Sequence, residues 1–138
     1  MNHDVVDLLR GALKDFGRED LINGNLDNQS TITINIDNKP SINITADEED
    51  GNTVMLWATL AEYNEATLQH IAPDLVKLQL DAVYAQFGVG QPALQKSDAN
   101  LELVAALKPQ CLESKENLGA ALEHFFNHTA KVQDLLTK

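Results

Sequence analysis

Residues able to do chemistry are few in this chain, and none falls into a working constellation. His124 and His128 stand four apart on what reads as the last helix, a spacing that can present two imidazoles to one metal ion. Two ligands without a third do not make a zinc site, and Phe125 stands where the HExxH pattern requires a glutamate base. With Glu123 and Lys131 beside them, the pair reads more simply as part of the helix's polar side. Cys111 is the only cysteine. Glu113 and Glu116 lie close to it in sequence, and acidic neighbours oppose thiolate formation, so it reads as a small semi-buried residue and not as a nucleophile. The run Asp47-Glu48-Glu49-Asp50-Gly51-Asn52 resembles a calcium loop only in composition. Setting Gly51 at the sixth position puts Ala46 first and Trp57 twelfth, where the loop needs carboxylates. It reads as an exposed, solvated turn. No phosphate-cradling glycine motif, GxSxG elbow or convergent carboxylate pair occurs. The residues therefore call for no catalytic group, no metal and no cofactor.

The elements that would have to position a site are better marked. Thr31-Ile32-Thr33-Ile34-Asn35-Ile36 and Ser41-Ile42-Asn43-Ile44-Thr45-Ala46 alternate strictly between β-branched apolar and polar residues. Asp37-Asn38-Lys39-Pro40 separates them. This is the pattern of a half-buried antiparallel hairpin. A third strand, residues 53–60, is apolar on both sides: Val54, Leu56, Ala58 and Leu60 point one way, Met55 and Trp57 the other. Such a strand is either covered twice or keeps one apolar face for a partner.

Helices frame these strands. Val5, Leu8, Leu9, Ala12, Leu13 and Phe16 fall at helical spacing, with Gly17 placed to stop the helix. Asn64 can cap a second helix over residues 65–72 and 74–87, with a kink or break expected at Pro73. Leu75, Leu78 and Ala82 mark one stripe on it, and Val76, Leu80, Val83 and Phe87 another. Two stripes imply burial on more than one side, by this chain or by a second copy. A weak strand at 93–96, a turn at 97–100 and a firmer strand at 101–107 follow. The last helix spans residues 114–136, with Leu118, Leu122, Phe125, Thr129, Val132 and Leu136 as its buried stripe. The expected order is α-β-β-β-α-β-β-α, an α+β fold with a mainly antiparallel twisted sheet.

At 138 residues, with 43% hydrophobic and 22% charged residues, the composition fits one globular domain. Ten Lys+Arg against 21 Asp+Glu leave a net charge of −11, which disfavours nucleic acid and anionic membranes as partners. The N-terminus carries acids where a signal peptide needs a basic region, and no apolar run approaches the ~18 residues of a membrane span. A cytoplasmic location is expected.

Three blocks carry a family resemblance: Leu26-Asp27-x-x-Ser30-x-Ile32-x-Ile34, Pro40-x-Ile42-Asn43-Ile44 and Val54-Met55-Leu56-Trp57-Ala58. Weaker matches lie at Val6-x-x-Leu9-Arg10, Leu68-Gln69 and Phe125-Phe126. Together they resemble a bacterial type III secretion chaperone of class I, and within it the InvB-like class IB chaperones that serve several effectors. The resemblance implies a non-enzymatic homodimer in the cytosol that holds the extended N-terminal segment of secreted effector proteins. It also implies the export ATPase as a further partner. Effector-binding candidates are then Met55, Trp57, Ile32, Ile34, Ile42 and Ile44, and dimer-interface candidates are Leu75, Leu78, Ala82 and Val83. Two other readings compete: a generic dimeric adaptor domain, and a small metal-dependent enzyme.

Overall fold

The computed structural model describes residues 9–14, 32–34, 41–46, 54–81, 84–88 and 92–137, with Ile32 and Ala46 described by their backbone alone. The alternating isoleucines pair as expected. β1 (Ile32–Ile34) runs antiparallel to β2 (Ile42–Ala46) with Ile34 opposite Ile42, and β3 (Val54–Glu62) adds to β2 with Leu56 opposite Ile44. After the helix α2 (Glu65–Asp81), β4 (Ala93–Ser97) and β5 (Asn100–Ala106) form a second hairpin. Its turn holds Asp98 at φ 55, a left-handed conformation that a short polar side chain tolerates. β5 then pairs with β3, which gives an antiparallel five-stranded sheet in the order β1-β2-β3-β5-β4. Residues 9–14 are helical and are called α1 here; α3 (Lys115–Leu136) ends the chain. The element order is the one the periodicities predict, and the architecture is α+β.

Period-two burial decides which side of this sheet is the core. Val54, Leu56, Ala58, Leu101, Leu103 and Ala105 are buried together with Ile34, Ile42 and Ile44. They join Leu9 and Leu13 of α1, Ile71 and Leu75 of α2, and Leu118, Leu122, Phe125 and Val132 of α3 in one cluster. A fully buried leucine contributes about 1.5–3 kcal/mol, so this inner face holds the helices to the sheet. The helix starts are fastened locally. Thr67 N–H donates to the Asn64 side chain at 3.0 Å, and Asn117 N–H donates to Ser114 Oγ at 3.1 Å.

Two expectations change. The helix α2 is not broken at Pro73 but runs through it as one α-helix. The ring removes the N–H that would pair with the Gln69 carbonyl one turn earlier, but both residues are exposed, so water can replace that donor. Phe87 is not helical. It forms an isolated antiparallel bridge to Leu107 and is 1% exposed, because its ring finds more cover against Phe125 of α3 than a helix surface would give it. A short 3-10 turn, Pro109–Leu112, precedes α3 and carries the buried Cys111. The expected helical residues 4–8 and 15–16, the acidic turn at 47–52, and Ala82 and Val83 lie outside the described residues.

Candidate functional site

The pleat divides five of the six strand candidates between two faces. Ile34, Ile42 and Ile44 are 3%, 2% and 1% exposed and belong to the core. Ile32 is in backbone register with Ile44. Met55 and Trp57 stand on the other face, opposite Thr45 and Asn43 of β2 and opposite Ala106 and Val104 of β5. The structure therefore brings Met55 and Trp57 together and separates them from Ile34, Ile42 and Ile44, which form the floor beneath the outer face.

That outer face combines an apolar strip with a polar ladder. Met55, Trp57, Val104 and Ala106 are all half-buried. None of them belongs to the core cluster or to the hydrophobic residues packed against it. Alongside, Thr33 donates to Asn43 Oδ1 at 2.8 Å, Asn43 Nδ2 donates to the Trp57 carbonyl at 3.4 Å, and the Trp57 indole N–H donates to Thr45 Oγ1 at 3.3 Å. Farther along, Thr59 Oγ1 and Gln95 Nε2 both donate to the Glu102 carboxylate, at 3.2 Å each. The indole is oriented by a hydrogen bond while its ring stays partly open to solvent, an arrangement suited to an amphipathic anchor. The sequence signal was available for the β5 half of the strip as well: Val104 and Ala106 sit at the second phase of a two-sided strand, as Met55 and Trp57 do on β3.

The candidates on α2 also divide. Leu75 is 5% exposed and is a core residue, and Leu78 is half-buried against the core. Val76 and Leu80 are 56% and 72% exposed, the two large hydrophobics with open surface among the described residues. With exposed Pro73 they follow i, i+3, i+7 spacing, so α2 carries one stripe inward and a second outward.

The titratable candidates are structural in their surroundings. His124 is half-buried and its ring stacks on Tyr84 with centroids 4.9 Å apart. His128 does not lie on the polar side of α3; it is 0% exposed, because it falls between Phe125 and Val132 on the inward stripe. Among the described residues no group of three or more His, Cys, Asp or Glu side chains is placed to hold a metal ion. Cys111 is buried, its Sγ donating to the Gln86 carbonyl at 3.3 Å. Burial pushes its thiol above the ordinary value, opposed by the backbone N–H contact at Lys108 and the Lys108 charge. The cause is desolvation and not the acidic neighbours. A cavity of about 240 Å³ beside it is lined by Ala85, Gln86, Gln110, Cys111, Asn117 and Ala120. None of these side chains can act as a base toward the thiol. No helix among the described residues is long and apolar enough to cross a membrane.

Known proteins share this arrangement. A chain in the HopA1–SchA chaperone–effector complex aligns over 95% of this chain and 94% of its own, with a TM-score of 0.63 at 13% identity. The structure of the Yersinia pestis type III secretion chaperone SycH with a fragment of YscM2 aligns over 91% and 96%, with a TM-score of 0.54 at 11% identity. The Pseudomonas aeruginosa ExoU–SpcU complex of the type III secretion system gives 0.58 at 14% identity over 92% and 96%. At such low identities, these TM-scores establish a shared fold alone. Sequence goes further. The surface presentation of antigens protein SpaK of Salmonella typhimurium is 30% identical over 129 residues, 93% of either chain. Residues 17–98, which contain both the isoleucine hairpin and the Met55/Trp57 strand, match the Invasion protein B family. The family match spans more than half of the sequence and the SpaK similarity nearly all of it, so this chain belongs to the Invasion protein B family.

Proposed function

We propose that this chain is a type III secretion chaperone that binds the extended N-terminal segment of effector proteins and keeps it soluble for export. The observation that carries this reading is the outer strip of Met55, Trp57, Val104 and Ala106, half-buried and outside the core cluster. An extended peptide can lay alternate side chains against such a strip and add its backbone to a sheet edge. The strands β1 and β4 are the two ends of the sheet order. Burial of apolar side chains supplies most of the affinity, and the −11 charge speeds encounter with a basic segment.

The chaperone acts as a homodimer joined through the outward stripe of α2, centred on Val76 and Leu80, and it catalyses no reaction. Support for the dimer is the exposure of those two side chains on a helix whose other stripe is already buried. Co-expression with N-terminal segments of candidate effectors tests the proposal. An otherwise insoluble segment should stay soluble and co-purify with the unmodified chain, and a Trp57→Ala chain should retain much less of it. If no segment is rescued by a folded chain, the reading fails.

A further inference from the structure

His128 is 0% exposed, yet it carries a titratable ring. Its environment fixes which nitrogen holds the proton. Gln79 of α2 donates its Nε2 to the Pro92 carbonyl at 2.9 Å, and a carbonyl can only accept. The other end of the same amide, Oε1, must therefore accept from His128 Nε2, 2.5 Å away. The imidazole is then the Nε2–H tautomer, and Nδ1 is left as a bare acceptor. That Nδ1 atom is buried and has no hydrogen-bond partner among the described residues.

We infer that the His128–Gln79–Pro92 chain is an acid-sensitive latch that ties α3 to α2 and to the start of β4. In the neutral state the latch needs one imidazole proton, and Gln79 uses it. A second proton has only Nδ1 to bind, and there it creates a buried cation whose new N–H finds no acceptor among the described residues. The groups facing the ring add no relief. On α3 these are Lys131, a positive charge, and His124, whose ring stacks on Tyr84. From the segment after α2, Tyr84 meets the His128 ring edge-on at 6.1 Å. The helix α2 contributes the neutral Gln79, and among the described residues no carboxylate bonds to either ring nitrogen. Desolvation and, secondarily, the Lys131 charge hold the imidazole below its ordinary value of 6.5.

The sign follows from linkage. Below pH 6.5 the unfolded chain binds a proton at this residue and the folded chain resists it, so the folded state loses stability as pH falls. Each tenfold depression of proton affinity at His128 converts to a melting shift of about 3–6 °C for a chain of this size. The inference does not depend on the chaperone reading.

Imidazole nitrogen spectra of the unmodified, uniformly labelled protein test it first. His128 should remain the neutral Nε2–H tautomer as the pH is lowered through 6.5, the ordinary imidazole value. Amide hydrogen exchange within Glu65–Asp81 should accelerate as pH falls below 6.5, after correction for intrinsic rates. The His128→Gln variant keeps a donor for Gln79 and removes the titration, so its melting temperature should fall less than the parent's between pH 7.5 and pH 5. His128 that is half charged at pH 6.5 or above, or corrected exchange in α2 that does not change with pH, overturns the latch even if His128→Gln does not fold. A parent–variant difference that is constant across pH overturns it as well.

Discussion

The indole N–H of Trp57 donates to Thr45, the residue diagonal to it across the β2–β3 pair, and not to its direct opposite, Asn43. Asn43 is occupied otherwise, accepting from Thr33 and donating to the Trp57 carbonyl. The tryptophan is thus oriented by the sheet while its ring contributes to a surface and not to the core. Anchors of this kind account for most of the energy at protein interfaces.

Replacing Trp57 separates binding from folding. Trp57→Ala should weaken capture of an effector segment by at least about thirtyfold, the equivalent of ~2 kcal/mol. Its melting temperature should fall less than the ~3–5 kcal/mol of a core aromatic deletion would produce, since the ring is half-buried. Calorimetric titration and thermal unfolding of the same variant check both halves. A large stability loss with unchanged affinity of the folded fraction would falsify the outer-face assignment.

The inner face should behave in the opposite way. Leu56, 0% exposed and opposite Ile44, should cost about 2–5 kcal/mol when truncated to alanine. Denaturant unfolding reads that loss, while affinity measured on folded protein should stay within a few-fold of the parent.

Charge placed on α2 distinguishes its two stripes. Val76→Asp and Leu80→Asp alter exposed positions, so each should change monomer stability by no more than about 0.5–1 kcal/mol. Both should shift the protein from dimer to monomer in sedimentation. Leu75→Asp, one residue away, buries a charge in the core and should unfold the chain. An unmodified protein that sediments as a monomer across micromolar concentrations rules out the α2 interface.

Cys111 should be inert until the chain opens. Its thiol is buried and its proton is held more tightly than usual, so a disulfide reagent should modify it at the rate of unfolding and not at the rate of a free thiol. The folded value lies above the unfolded value of 9.0, so the contribution to stability is full below pH 9 and declines as pH rises through the folded value. Alkaline unfolding of the parent should therefore be steeper than that of Cys111→Ala.

Period-two alternation made the sheet legible because strand faces depend only on residue parity. The hairpin at Ile32–Ala46 and both phases of β3 follow from it directly. Parity alone does not say which face the helices take, so Ile34, Ile42 and Ile44 were grouped with Met55 and Trp57 although the pleat sets them apart. Helical spacing placed the stripes on α2 but not their roles, since Leu75 and Val76 are neighbours that differ only in whether this chain covers them. His128 was hidden by its type: the inward stripe runs through position 128, and a histidine there reads as polar surface until a partner such as Gln79, forty-nine residues away in sequence, is brought beside it. Phe87 continues the apolar period of the helix in sequence, whereas its bridge to Leu107 depends on a segment that comes later.

The strand order has a consequence for how the chain reaches its fold. The strands β1, β2 and β3 are joined by short connections and can pair early, as can the β4–β5 hairpin. The central junction cannot, because β3 must wait for β5 while α2 and β4 are laid down between them. Closing that long loop should set the folding rate, as distant pairings do in general. Until it closes, the edge of β3 is open along Met55 to Glu62. A newly made chain is then briefly vulnerable to strand-to-strand association with another chain.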